Sequence, residues 1–188
     1  MRPPLSILIL TIDSRKSMLA SLLNEFNRQM QLLGVSCELL VESDNGQLSK
    51  GTKRNRLLDR ATGEYVAFFD DDDWPSEKYI ELIIKAIKSK PDCCSLLGSI
   101  TIDGGKSELF EHSLKYKAWK TTNKRIKYER YPNHLNAIRS SIAKKIRFPE
   151  INHGEDHKWS DALHQSRLLK KEAYIPEVLY NYRYVSKK

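Results

Sequence analysis

The amino-acid sequence predicts an α/β fold: a mostly parallel sheet with helices on both faces. Three observations predict it. Apolar runs alternate with amphipathic helical stretches up to residue 102. The first run, 5–12, is almost wholly Leu and Ile, as in a strand buried on both faces. A chain of 188 residues without repeat, low-complexity tract or linker fits one domain around one core.

Each element has a local cause. After the strand at 5–12, Met18, Leu19, Leu22, Leu23, Phe26, Met30 and Leu33 recur at steps of three and four. They predict a helix with Ser14 or Ser17 as N-cap and Gly34 as stop. Residues 37–41 read as a second strand, 49–61 as a basic helix stopped at Gly63, and 65–69 as a third strand. Pro75-Ser76-Glu77 opens a helix with Ile80, Ile83, Ile84 and Ile87 on one face. Residues 95–102 form a fourth strand, ended by Asp103-Gly104-Gly105. This β-α-β-α-β-α-β order implies parallel strands. Beyond 105 the pattern loosens: 106–136 are polar, basic and aromatic without clean periodicity. Residues 140–146 and 156–166 read as short helices, and 173–184 as a last extended segment. The seam near 103 divides the single domain 1–188 into two halves, 1–103 and 104–188.

Charge divides at nearly the same place. Residues 1–94 hold 13 basic and 14 acidic side chains, and 95–188 hold 19 and 10, so the second half carries a net +9. Its Lys and Arg are interleaved with aromatics, as in Lys115-Tyr116-Lys117-Ala118-Trp119-Lys120. That composition suits an anionic membrane surface, a polyanion or a nucleotide phosphate, with a solvated basic face as the plain alternative. No specific nucleic-acid partner is expected. The longest apolar run is broken by Ser6 and falls short of the roughly 20 residues of a membrane span. No leader pattern is visible. Cys37, Cys93 and Cys94 lack zinc spacing and fit a reducing compartment. The expectation is a cytoplasmic protein with peripheral membrane contact as an option.

In a parallel sheet the strand C-termini share one edge, where ligands bind. Three acidic loops leave the strands there: Thr11-Ile12-Asp13-Ser14-Arg15, Glu42-Ser43-Asp44-Asn45-Gly46 and Asp70-Asp71-Asp72-Asp73-Trp74. Such loops repel one another unless a cation sits among them. Mg²⁺ or Mn²⁺ takes carboxylate oxygens and bridges them to phosphates. Other phosphate and hydrolase signatures are missing. Gly105-Lys106-Ser107 has Ile100 where a P-loop needs Gly, and no GxGxxG, GxSxG or HExxH occurs. A metal-dependent phosphoryl-transfer or hydrolytic enzyme would use the same acidic edge. A basic binding module would leave the acids merely structural.

Taken in order, several stretches carry a resemblance. They are Ser6-Ile7-Leu8-Ile9-Leu10-Thr11, Leu39-Leu40-Val41-Glu42-Ser43-Asp44-Asn45-Gly46 and Lys53-Arg54-Asn55-Arg56-Leu57. Ala61-Thr62-Gly63-Glu64-Tyr65, Phe68-Phe69-Asp70-Asp71-Asp72-Asp73, Gly154-Glu155-Asp156 and Tyr182-Arg183 follow. Together they resemble the inverting glycosyltransferase family 2. The resemblance implies the GT-A fold, a Rossmann-like nucleotide-diphospho-sugar transferase architecture with a donor half (1–103) and an acceptor and catalytic-base half (104–188). Residues 132–139, with Phe148-Pro149 and Gly154-Glu155-Asp156-His157, are also similar to procollagen galactosyltransferase-like and lipooligosaccharide-type enzymes.

Carried over by position, the resemblance implies a nucleotide-sugar pocket at Thr11, Asp13, Arg15, Glu42, Asp44, Arg54, Asp70 and Asp71. Asp72 would ligate Mn²⁺ or Mg²⁺, although Asp71 and Asp73 form a second Asp-x-Asp register. Asp156 would be the general base with Glu155 orienting it, and Arg183 a positive clamp on the leaving diphosphate. His134, Asn136 and Trp159 would face the acceptor. Tyr184-Val185-Ser186 follows Tyr182-Arg183 where many members place a His. The expected partners are a nucleotide-diphosphate sugar, UDP-sugar favoured, and a glycan, lipid-linked or protein acceptor.

Overall fold

The computed structural model describes residues 2–186. The first strand, β1 (Leu5–Ile12), is buried along nearly its whole length. Its alternate residues serve two cores. Leu5, Ile7 and Ile9 face helices α1 (Lys16–Leu33) and α3 (Tyr79–Ile87), whose Leu22, Phe26, Ile80 and Ile83 complete that layer. Leu8 and Leu10 face the opposite layer, built from Leu57 and Leu58 of α2 (Lys50–Arg60) and Trp159 and Leu163 of α5 (Glu155–Ser166). Period-two alternation of a strand buried on both faces thus produces helices on both faces.

The sheet itself departs from expectation. Two six-stranded mixed sheets replace one mostly parallel sheet. In the first, β1 pairs in parallel with β2 (Glu38–Asp44) and β3 (Tyr65–Phe68). The short strands β5 (Cys93–Cys94), β10 (Ile138–Arg139) and β11 (Glu172–Ala173) extend it, with β10 antiparallel to both neighbours. The second sheet orders β4 (Trp74–Pro75), β12 (Val178–Tyr184), β6 (Leu96–Ile102), β7 (Glu108–His112), β9 (Ile126–Arg130) and β8 (Lys120–Thr121). The predicted fourth strand is therefore β6, in the other sheet. The chain changes sheets at Ser95, a buried residue whose N–H donates to Ala173 O and whose Oγ accepts from Ile175 N–H.

Local boundaries follow capping chemistry. Gly34 stops α1 at φ +61°, a conformation that favours Gly. Neither Ser14 nor Ser17 caps that helix: a 3₁₀ turn at Asp13–Arg15 leads into it without a side-chain cap. Ser49 caps α2 by accepting from Thr52 N–H. Pro75 belongs to β4, so α3 begins at Tyr79. The short helix α4 (Ser140–Ala143) ends before 146, and the segment 106–136 holds three strands rather than irregular chain.

Gly98 of β6 lies opposite Phe110 of β7, and a Cβ there would overlap the Phe110 ring. Gly98→Ala should destabilise the protein by about 1–3 kcal/mol, the usual cost of overpacking a core. Urea unfolding checks this, and a change under ~0.5 kcal/mol would show that Phe110 moves aside freely.

Candidate active site

A first cleft of about 240 Å³ opens where β1 and β3 end, beside α2. Parallel strands end there together, as in ligand-binding α/β sheets. The four-Asp run alternates across its wall. Asp70 and Asp72 present side chains 27% and 40% exposed, whereas the Asp71 side chain is 4% exposed and Asp73 is 3% exposed. Asp71 accepts from Thr11 Oγ1 (2.5 Å) and Arg15 Nη1 (2.7 Å). Asp73 accepts from the Tyr180 hydroxyl (2.6 Å) and Arg183 N–H (2.8 Å), tying the loop to β12. Asp70 and Asp72 are thus the open pair, and Asp71 and Asp73 are anchors. Burial pushes the Asp73 carboxyl up to about 8, with the neighbouring Asp70 charge adding to it. Burial also raises Asp72, against the pull of Arg15 at 3.1 Å.

The expected repulsion between acidic loops is relieved by the protein's own cations, mostly from α2. Lys53 pairs with Asp44 and donates to Thr11 O (2.7 Å). Against the cost of desolvation, Lys53 and the N–H groups of Leu48 and Gly46 hold the Asp44 carboxyl down at about 2. Arg54, buried, donates from Nη2 to Asp70 (3.2 Å) and from Nε to Glu155 (3.4 Å). Arg56 and Arg60 neutralise Glu42 at 3.2 and 2.5 Å. The acidic run therefore does not by itself demand a metal. No group of three or more His, Cys, Asp or Glu side chains able to hold one occurs among the described residues. Open Asp70 and Asp72 nevertheless fit a hard divalent cation. Mg²⁺ characteristically takes one or two carboxylates and completes its shell with substrate phosphates and water.

A second cleft of about 460 Å³ shares Asp70 and Tyr182 with the first. Its wall is one face of the second sheet. Register aligns Tyr182 with Ile100, Tyr184 with Ile102, Phe110 with Tyr128 and His112 with Arg130, so these side chains stand in one apolar and aromatic array. Asp156, in the first turn of α5, also lines it, and so do Trp119 and His134. Burial, then the charge of Arg54, holds His134 neutral, well below the ordinary histidine range. Burial and Arg130 depress His112 to about 3. Neither ring nitrogen of His134 has a hydrogen-bond partner among the described residues.

The structure thus gathers Thr11, Arg15, Arg54, Asp70, Asp71 and Asp72 at the first cleft, and His134 and Asp156 at the second. Glu155 sits beneath, on Arg54. Other expected residues lie elsewhere. Asp13 accepts from Ser43 Oγ (2.6 Å) and Glu42 is held by α2, both outside the cleft linings. Trp159 lines neither cleft: its ring stacks on Phe148 at 4.8 Å in the core, with Nε1–H donating to Ile146 O. Asn136 is structural, donating to Cys94 O and His112 O. Strand alternation turns the Arg183 guanidinium away from Tyr182 and over the Trp74 ring, outside both cleft linings. Trp119, Tyr128, Arg130, Tyr182 and Tyr184 were missed as lining residues. The Tyr-x-Tyr-x-Tyr spacing at 180–184 was the signal for three of one face.

Residues 39–174 match the family model described as glycosyl transferase family 2. The chain belongs to that family. No curated protein sequence matches the chain. Among solved structures, this family 2 chain is similar to Staphylococcus aureus TarS (residues 1–349) in complex with UDP-GlcNAc: TM-score 0.67, 17% identity, over 100% of this chain and 60% of that one. The same TarS fragment in complex with UDP gives 0.66 and 17%, over 97% and 60%. The catalytic domain of Drosophila β1,4-galactosyltransferase 7 in complex with xylobiose gives 0.57 and 15%, over 93% and 66%. At these identities the likeness shows the fold, which is GT-A. The chain spans about 60% of the TarS fragment's length.

Removing a buried cation leaves its partners uncompensated. Arg54→Met should therefore cost about 3–5 kcal/mol of stability, measured by chemical unfolding. A loss below ~1 kcal/mol would show that Asp70 and Glu155 do not depend on it.

Proposed function

We propose that this chain transfers a sugar from a nucleotide-diphosphate donor, with a UDP-sugar favoured, to a hydroxyl of a glycan, lipid-linked or protein acceptor, inverting the anomeric centre. One observation carries the reading: the acidic first cleft and the aromatic second cleft share Asp70 and Tyr182, so ligands in the two would meet at that wall. The TarS complexes with UDP and UDP-GlcNAc support the uridine donor.

On this reading the donor lies in the first cleft, its diphosphate near Asp72, Arg15 and Lys50. A Mn²⁺ or Mg²⁺ ion held by Asp72 with Asp70 would supply Lewis-acid stabilisation of the leaving diphosphate. The acceptor lies in the second cleft. Its hydroxyl has a pKa far above 7 and needs a base within reach. Asp156 takes the proton as the acceptor oxygen attacks the anomeric carbon from the face opposite the diphosphate. The bond from that carbon to the phosphate oxygen breaks, and its electron pair leaves with the diphosphate. Glu155 holds the start of α5 through Arg54, and Tyr182 separates nucleotide from acceptor.

Base and metal site separate cleanly by mutation. Asp156→Asn should lower kcat by about 10² to 10⁴ and change UDP affinity by less than about threefold, roughly 0.7 kcal/mol. Near-normal kcat would move the base elsewhere, His157 or Asp161 first. Calorimetry should show tighter UDP binding with Mn²⁺ than with chelator in the wild type and no such difference in Asp72→Ala. Metal-independent UDP binding by the wild type would sink the metal role.

A further inference from the structure

Arg130 stands apart from the other arginines. Among the described residues it is the one arginine that is not exposed and has no carboxylate within 4.0 Å. Its guanidinium lies over the rings of Trp119 (5.1 Å) and Tyr128 (5.5 Å). Nη1 donates to two backbone carbonyls, Lys120 O at 2.5 Å and Glu129 O at 2.9 Å. Stacking and these bonds fix the plane of the fork, and Nε and Nη2 have no acceptor among the described residues. Burial disfavours its charge. A half-desolvated, oriented and unpaired cation costs stability unless something pairs with it. Register places it beside His112 on the wall of the second cleft, the cleft that also contains Asp156. The cleft's carboxylates, Asp70 and Asp156, make no ion pair with it, and both buried histidines are neutral, so Arg130 is the only positive charge lining that cleft among the described residues.

We propose that the second cleft takes an acceptor sugar carrying an anionic group, carboxylate or phosphate, which Arg130 binds through its free edge. The proposal rests on the reading of this cleft as the acceptor site. The remaining lining fits such a ligand: aromatic walls from Tyr182, Tyr184 and Phe110 for a sugar ring, and, for hydroxyls, a buried Trp119 Nε1–H and His134 ring nitrogens with no partner among the described residues. An Arg fork matches both carboxylate and phosphate bidentately, whereas a neutral sugar leaves it unpaired.

The test saturates the first cleft with UDP and Mn²⁺, which also verifies that the donor site is intact. Glucuronate, glucose 6-phosphate and methyl glucoside are then titrated separately. Binding is followed by nitrogen–proton NMR at the Trp119 indole signal, assigned from Trp119→Phe. In the wild type, at least one anionic sugar should bind about tenfold tighter than methyl glucoside, and the two anions distinguish carboxylate from phosphate. Arg130→Gln should abolish the preference, and Arg130→Lys should keep part of it, since it keeps charge without the fork. Equal affinities for charged and neutral sugars in the wild type overturn the proposal, as does a failure of both anions to bind. A preference that survives in Arg130→Gln, with only a lowered melting temperature, reduces Arg130 to a structural prop and overturns it equally. Failure of UDP to bind would instead sink the proposed function.

Discussion

Arg54 carries a charge that the fold cannot leave unpaired. Its side chain is 4% exposed and lies over Phe68 and Phe148, at 5.1 and 5.7 Å. A guanidinium in that setting persists only with carboxylate partners. One partner, Asp70, lies in the loop that follows the third strand, and the other, Glu155, starts α5. The cation that orients the open acid of the first cleft therefore also fixes the helix that brings Asp156 to the second. The rest of α2 reinforces this. Asn55 exchanges two 2.9 Å hydrogen bonds with the Phe148 backbone. Gly51 donates to Ile151 O, and a Cβ at Gly51 would collide with Pro149 O. A basic helix that looks from its composition like a solvated surface element is the clamp between the two halves of the site.

The second sheet depends on a comparable tie. Tyr180 is wholly buried. Its hydroxyl donates to Asp73 and accepts from Asp70 N–H. That pair of bonds holds β12 against the acidic loop and so brings the aromatic wall to the mouth of the first sheet. Tyr182 then reaches both clefts because it lies two residues further along the same face.

Much of this was legible in the sequence. The Leu- and Ile-rich run of β1, the three- and four-residue steps of α1 and the stop at Gly34 each rest on local rules, and local rules survive tertiary context. The acidic run was visible, but four identical residues carry no periodicity, so which pair faces solvent follows only from Tyr180 and the backbone of Arg183. The change of sheet at Ser95 was not legible: β6 is as apolar as a central strand, and the partner that claims it, β12, lies more than 70 residues on. The strands between 106 and 136 escaped because they are short and only partly buried, which weakens alternation. Trp159 was misplaced because spacing shows that a helix has an apolar face without showing what that face meets.

Charge is handled differently in the two halves, for a physical reason. Acids on strand ends sit close together and are costly, so the first half neutralises them internally with Lys53, Arg54, Arg56, Arg60 and Arg15. The open face of the second sheet has no such crowding. Apart from Arg130, its strands alternate aromatic side chains toward the cleft with charged ones such as Arg183 and Glu129 away from it, and Lys127 and Lys115 meet Glu108 and Glu111. A change of sheet in a domain of this size thus yields two neighbouring surfaces of opposite character: one polar and densely paired, the other apolar and aromatic. Bringing them together at Asp70 and Tyr182 requires only that β12 be anchored to the acidic loop, which Asp73 does through Tyr180 and the Arg183 backbone.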